Sequence, residues 1–448
     1  MKRLKRILKI TAINVIVFVV LLELIAAAIY FFNHKTFFYT DKHRYEGEQS
    51  TRESIAPNLD AQLTDERFHP FFGYTHKAGL KNTNNYGFHC SHDYPLKKEK
   101  GNWYIIGIFG GSVANDFYEK GREQLTKKLK AHPRFADKEV VYLNYALGGY
   151  KQPQQLHILT YFLAIGQQLD IVINIDGFNE MIFCFNNNRL NVDLAMPSAQ
   201  HFLPMRDLMD SRTVTGERLE SMWNIQNYKK DYIRVKEKLR TTKLASVYLI
   251  YSIYGKHVYK KYRSEIVRFD NLIKPAKPEP EDSIANIKYT PAITNESALM
   301  AKVATLYYRT SFTMHSAATA WGGQYFHFLQ PNQYYAKKPF TKKEQETALD
   351  QGLTYNFLVK KGYPVLHRVI EALKKNQVNA FSAAAIFDNV KETVFIDKCC
   401  HFNRYGNEIF ADFIAGCILK NYAFSPRRGA AHPAYKDAKE REDKKRRR

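Results

Sequence analysis

Residues 103–117 read WYIIGIFGGSVANDF: an apolar run, a glycine pair, a serine, then small and helix-compatible residues. The run 103–109 is short, apolar and rich in aromatic and β-branched side chains, as a strand buried on both faces would be. A glycine pair directly after it has three readings. It makes a turn with a capping serine, it cradles a phosphate, or it lifts the Ser112 hydroxyl toward a substrate. A phosphate loop needs GxxxxGK[ST] and a dinucleotide loop needs GxGxxG, and this stretch supplies neither. Taken alone, the turn and the reactive hydroxyl both stand.

Outward from this stretch an alternation appears. Residues 112–129 read as a helix, EVVYLNY (139–145) as a second strand, 153–168 as a helix and DIVINID (170–176) as a third strand. Short β-rich runs alternating with helices predict an α/β fold with a parallel sheet wrapped by helices. Upstream, FHPFFGYTHKAGLKNTNNYGFHC (68–90) is rich in turn formers and aromatics and reads as a loop-rich lead-in or short edge strands. Downstream the pattern breaks. Residues 190–215 read as a loop, and Leu219, Met222, Ile225, Tyr228, Tyr232, Val235 and Leu239 then recur at helical spacing. A second helical pattern over 244–262 makes the pair a helical hairpin, and KPAKPEPED (274–282) is a proline-punctuated linker. The alternation resumes with a helix at 296–320, a strand YFHFLQ (325–330), a helix at 343–375, a short strand TVFI (393–396) and a last helix at 405–419.

The chain of 448 residues carries a formal net charge of +23, unevenly spread. Lys2, Arg3, Lys5, Arg6 and Lys9 form an acid-free leader, and the tail beyond residue 425 is again basic, ending KKRRR. Such a tail reads as a solvated end, with attraction to a membrane surface as the sharper alternative. Residues 10–32, ITAINVIVFVVLLELIAAAIYFF, match the roughly 20 residues that a helix needs to cross a hydrocarbon core. A cleaved signal peptide competes, because Ala26, Ala27 and Ala28 are small; the apolar run continues past them, which favours an uncleaved anchor. The cationic leader then places the N-terminus in the cytoplasm and the rest of the chain outside. Glu23 is costly at that depth unless protonated, snorkelling or paired. Outside the cytoplasm, nucleic acid is disfavoured as a partner, and an anionic polysaccharide or lipid headgroup fits the charge better. Cys90, Cys184, Cys399, Cys400 and Cys417 show no CxxC pair and no metal-ligand spacing, and no disulfide is assignable.

In a parallel sheet the loops after neighbouring strands converge on one crevice. Ser112 follows the first strand, Gly148 and Gly149 follow the second, and Asn179 follows the third. A glycine N–H and an asparagine amide are donors suited to a carbonyl oxygen gaining negative charge, although turns use both residues everywhere. A serine nucleophile needs a base, and FIDKCCHFNRYGNEIFAD places Asp397 and His401 after the last expected strand.

GGSVA, the glycine of ALGGYKQPQQ, the DGFNE segment and the Asp397-x-x-x-His401 pair before FNRYGNEIFA resemble blocks I, II, III and V of the SGNH/GDSL hydrolase superfamily, in order. NNYGFHC and FLQPNQYY are similar to segments of its membrane-anchored bacterial members. The resemblance covers roughly 68–184 and 296–420. It implies a flavodoxin-like three-layer α/β/α sandwich with Ser112 as nucleophile, His401 as base and Asp397 as its partner. It also implies an oxyanion hole from the Ser112 N–H, the Gly149 N–H and the Asn179 side chain, and no metal or organic cofactor. Block I has GGS where the family name refers to Gly-Asp-Ser. Block V commonly has Asp three residues before His, where this chain has Lys398. Asp388 and Asp412 lie nearby without that relation, and Gly148 is a second candidate for the block II donor.

The expected organisation is a leader (1–9), an anchor (10–32), a stalk (33–67), a hydrolase domain in two parts (68–189 and 296–424), a helical insertion with linker (190–295) and a basic tail (425–448). The expected function is a membrane-anchored, extracytoplasmic serine esterase removing an acyl group, O-acetyl foremost, from a glycan or lipid-linked glycan. The alternatives are an O-acyltransferase acting on a cell-surface polysaccharide with the same residues, and a non-catalytic binding protein on a hydrolase scaffold. The 215–264 hairpin reads as a packed insertion, a lid, a partner surface for a membrane or envelope protein, or a lipid-facing element.

Overall fold

An N-terminal helix, α1 (Lys2–His34), precedes two short antiparallel strands, β1 (Glu66–His69) and β2 (Gly73–His76). The stretch quoted above then forms β3 (Trp103–Gly110), and the next helix, α2 (Ser112–Lys120), begins at the serine. There follow α3 (Arg122–Lys130), β4 (Glu139–Asn144), α4 (Gln154–Ala164), β5 (Ile171–Asp176) and α5 (Phe178–Arg189). After a long helix pair, α6 (Gly216–Thr241) and α7 (Ala245–Ile273), come α8 (Glu296–Ala320), β6 (Gln324–Leu329) and α9 (Lys342–Thr347). The last elements are α10 (Thr354–Lys375), β7 (Asn379–Ser382) and α11 (Arg404–Asn421). This computed structural model describes residues 2–34, 36–40, 66–80, 82–98, 101–203, 215–273, 287–350, 352 and 354–422.

The chain is an α/β protein whose five-stranded sheet is parallel throughout, in the order β4-β3-β5-β6-β7, with helices flanking it. Every residue of β5 is buried, including Asn174 and Asp176, as expected of a strand covered on both faces. On α10, Leu358, Val359, Gly362, Tyr363, Leu366, Val369, Ile370 and Leu373 recur at three- and four-residue steps and form its buried face. The register pairs Ile108 with Asn144 and Gly110 with Ile175, so the carboxyl ends of β3, β4 and β5 share one edge. The chain passes from β3 to β4 on one side and then to β5 on the other. That reversal opens a crevice at the carboxyl edge, where open α/β sheets take their ligands.

Several elements depart from the sequence expectations. The helix expected over 112–129 is two helices, because Gly121 ends α2 with its N–H on Phe117 O (2.8 Å). The helix expected over 343–375 also divides, with Thr341 and Glu344 forming a capping box for the short α9. The fifth strand is Asn379–Ser382, not TVFI. The N–H groups of Val394 and Phe395 donate to Glu344 Oε1 (2.9 and 3.0 Å), so they are spent on a buried carboxylate and not on a ladder. TVFI keeps one isolated bridge, Phe395 to Phe402. The second hairpin helix runs beyond the expected 262 to Ile273, and the basic leader is continuous with the apolar helix in α1. The linker 274–282, most of the stalk and the whole tail (425–448) lie outside the described residues.

The chain forms two compact units. One comprises Asp65–Met209 and Asp282–Arg448 and holds the sheet; the other comprises Met1–Thr64 and Asp210–Glu281. The second unit has its own small core, in which Ala26, Tyr30 and Phe38 pack with Val235, Leu239, Ala245 and Tyr248. Its α1 includes one stretch, Ile13–Asn33, long and apolar enough to cross a membrane.

Candidate active site

Ser112 is the first helical residue of α2, and Gly111 occupies the capping position with no side chain to offer. The serine hydroxyl is therefore not spent on capping the helix. Gly110, with φ +142°, makes the turn, and a Cβ there would sit 2.0 Å from the Ile175 carbonyl oxygen on β5. Half-buried at the sheet edge, Ser112 Oγ lies 2.7 Å from His401 Nε2.

The other ring nitrogen, His401 Nδ1, is 2.5 Å from Asp397 Oδ2. The second carboxylate oxygen, Asp397 Oδ1, accepts from the backbone N–H groups of Cys399 (2.8 Å), Cys400 (3.2 Å) and His401 (3.3 Å). The four-residue spacing thus wraps the chain around one oxygen and leaves the other for the ring. Burial disfavours the Asp397 charge, yet the His401 ring and these N–H groups hold its carboxyl below the ordinary value. Burial likewise opposes a charged His401, but the adjoining carboxylate outweighs it and raises the ring pKa above its ordinary value. Asp388 and Asp412 are engaged elsewhere: Asp388 accepts from Lys337 N, and Asp412 from Gln124 and Lys128.

The 393–402 segment that carries this pair is held by α9. Glu344 accepts from Val394 and Phe395 as above and pairs with Lys338 Nζ at 2.9 Å, both side chains being fully buried. Nothing in the sequence marked Glu344 or Lys338, except that Thr341-x-x-Glu344 has the spacing of a capping box.

Gly149 follows β4 with φ +79°, and a Cβ there would lie 2.3 Å from His201 Cε1 and 2.6 Å from the Tyr74 hydroxyl. The Tyr74 hydroxyl donates to Gly148 O at 2.9 Å. Because that peptide is planar and trans, the Gly149 N–H is directed away from Tyr74. Asn179, on the first turn of α5, gives one amide N–H to Tyr150 O (2.7 Å), which leaves its second N–H. Its Nδ2 lies 2.2 Å from where a Cβ of residue 111 would stand, so the amide lies against the peptide that precedes Ser112.

Nothing in the sequence marked His201 or His327, and Asp176 entered only as the last residue of DIVINID and the first of DGFNE. His201 stacks on Tyr74 and shares a hydrogen bond with Ser198 Oγ (3.0 Å); its Nε2 has no partner among the described residues, and burial lowers its pKa to about 3. Asp176 accepts from the Tyr307 hydroxyl (2.6 Å), Gln152 Nε2 (2.9 Å) and Asn174 Nδ2 (2.6 Å), and lies 2.5 Å from His327 Nε2. His327 Nδ1 meets Ser311 Oγ at 2.7 Å, which makes a second Ser–His–Asp line. The His327 and Asp176 side chains are 0% and 1% exposed, against 23% for His401. The inner line is closed to solvent, and exposure separates the two. The ligand atoms of Cys399, Cys400 and His401 lie within 4.8 Å of one another, but both His401 nitrogens face Asp397 and Ser112, so an ion there would break that line.

Neither protein-family models nor curated proteins give a match to this chain.

Proposed function

We propose that the chain is a membrane-anchored, extracytoplasmic serine esterase of SGNH/GDSL type that hydrolyses an acyl ester, O-acetyl foremost, on a glycan or lipid-linked glycan. The observation that carries the reading is the Ser112–His401–Asp397 line, buried at Asp397 and partly exposed at His401 and Ser112, at the sheet's topological switch point. The strand order, with the second strand outside the first and the third to fifth on the other side, supports a flavodoxin-like sandwich. The leader and the apolar part of α1 support a single-pass anchor with a cytoplasmic N-terminus.

Ser112 Oγ attacks the ester carbonyl while His401 Nε2 takes its proton, and Asp397 steadies the imidazolium. The oxyanion receives the Ser112 and Gly149 N–H groups and the free amide N–H of Asn179. Collapse returns the proton from His401 to the leaving sugar oxygen and leaves an acyl-serine. Water, deprotonated by His401, attacks that ester, and the second collapse releases the acid and restores Ser112.

The test is Ser112→Ala. Hydrolysis of p-nitrophenyl acetate and labelling by a fluorophosphonate probe are both expected to vanish. Undiminished turnover, or labelling retained in the variant, would refute the reading.

A further inference from the structure

We propose that the turn joining α6 and α7 is inserted in the outer leaflet beside the anchor helix, with the lipid bilayer as its partner. The proposal rests on reading residues 10–32 as a membrane anchor.

The observation is what Glu23 binds. This carboxylate, the only charged group between Ile10 and Asn33, accepts from the backbone N–H groups of Ala245 (2.5 Å) and Ser246 (3.1 Å) and from the Ser246 hydroxyl. It also accepts from the Tyr39 hydroxyl. Ala245 and Ser246 open α7, so Glu23 supplies the acceptor that the unsatisfied N–H groups and positive dipole of a helix N-terminus require. A carboxylate in hydrocarbon needs partners, and α7 provides them.

Depth follows from helical rise. Taking a ~30 Å hydrocarbon core and 1.5 Å per residue, Glu23 falls about 10–15 Å inside the outer edge, whether the span starts at Ile10 or Ile13. Groups bonded directly to Glu23 share that depth. Around it, Tyr30, Phe38 and Tyr248 form an edge-on aromatic cluster, and Ala26 and Tyr30 are buried by Val235, Leu239 and Ala245. Nearer the cytoplasmic end, Val15, Ile16, Val17, Phe18, Val19 and Val20 are all exposed. The hairpin thus covers one face of the outer half, through Ala26 and Tyr30, while Leu24, Ile25 and Phe32 stay exposed on the other.

The hairpin surface matches a lipid occupant. Leu244, Ile250, Ile253 and Ile233 are exposed on the half of the hairpin next to the turn. Lys236, Lys238, Arg240 and Lys243 are exposed around the same turn, against one acid, Glu237. Interfacial helices bury an apolar face some 5–10 Å into the headgroup–acyl boundary, and long basic side chains snorkel to the phosphates. The mixture of isolated apolar side chains and flexible cations therefore fits a phospholipid leaflet, with an anionic headgroup preferred.

The test uses the full chain in vesicles of phosphatidylcholine and phosphatidylglycerol, with and without bromine on carbons 6 and 7 of the acyl chains. Leu244→Trp and Phe18→Trp are each read against the wild-type background of three tryptophans. Bromolipid quenching of both new tryptophans is expected, and adding Glu23→Ala to Leu244→Trp should abolish quenching at 244 alone. Quenching at 18 without quenching at 244 overturns the proposal and leaves the anchor standing. No quenching at 18 overturns the anchor, and the proposal with it. Quenching at 244 that survives Glu23→Ala overturns the role given to Glu23.

Discussion

Replacing Asp397 with asparagine probes the line at its most unusual joint. Asp397 Oδ1 collects three backbone N–H groups, so the asparagine carbonyl oxygen will keep that position. The amide nitrogen must then face His401 Nδ1, 2.5 Å away in the wild type. Donor meets donor unless the ring moves its proton to Nε2. In that tautomer Nε2 points a hydrogen at Ser112 and cannot take the serine proton. The geometry is kept and the base is lost, a change worth about 10⁴-fold in kcat, or roughly 5 kcal/mol of barrier. The pH profile carries a second signature. Catalysis needs neutral His401, so kcat/KM rises with pH through the ring pKa, which Asp397 holds above the ordinary ~6.5. Without the carboxylate that pKa falls, and the midpoint of the residual activity moves to lower pH. The assay is hydrolysis of p-nitrophenyl acetate between about pH 5 and 10, with Asp388→Asn and Asp412→Asn as controls expected to behave as wild type. An Asp397→Asn enzyme within about tenfold of wild type, with an unmoved midpoint, would refute the reasoning.

Two further outcomes concern the groups around the serine. Asn179→Ala removes the donor proposed for the oxyanion and should lower kcat about 10²–10³-fold with KM little changed; a rise in KM alone would assign the residue to substrate binding. Lys338→Met strands the fully buried Glu344 carboxylate, which should cost about 3–5 kcal/mol in urea unfolding. Because Glu344 also holds the segment before Asp397, kcat should fall as well, and an unchanged urea midpoint would count against the brace.

Much of the sheet was readable because its pattern is local. The runs at 103–109, 139–145 and 170–176 carry strand-like side chains between turn residues, and β3, β4 and β5 form within a residue or two of them. Ser112, Gly149 and Asn179 were readable for the same reason, since each directly follows one of those strands. The reading failed where a polar group chose a distant partner. TVFI has better strand residues than Asn379–Ser382, yet Glu344 takes two of its N–H groups and the poorer sequence pairs with β6. Gly121 lies inside the stretch 112–129 that reads as one helix, yet it ends one helix and starts another.

By itself the sequence determined the alternation of strands and helices, the long apolar N-terminal stretch and the candidate nucleophile, because periodicity and turn chemistry act between neighbours. Only the tertiary structure decided that Asp397 reaches His401 across a four-residue spacing, that the Ser311–His327–Asp176 line is closed to solvent, and that Glu23 meets α7. Those choices are hydrogen bonds between residues far apart in the chain or across one folded loop. A carboxylate takes whatever donors the fold brings within about 3 Å, and no local pattern encodes which ones those are.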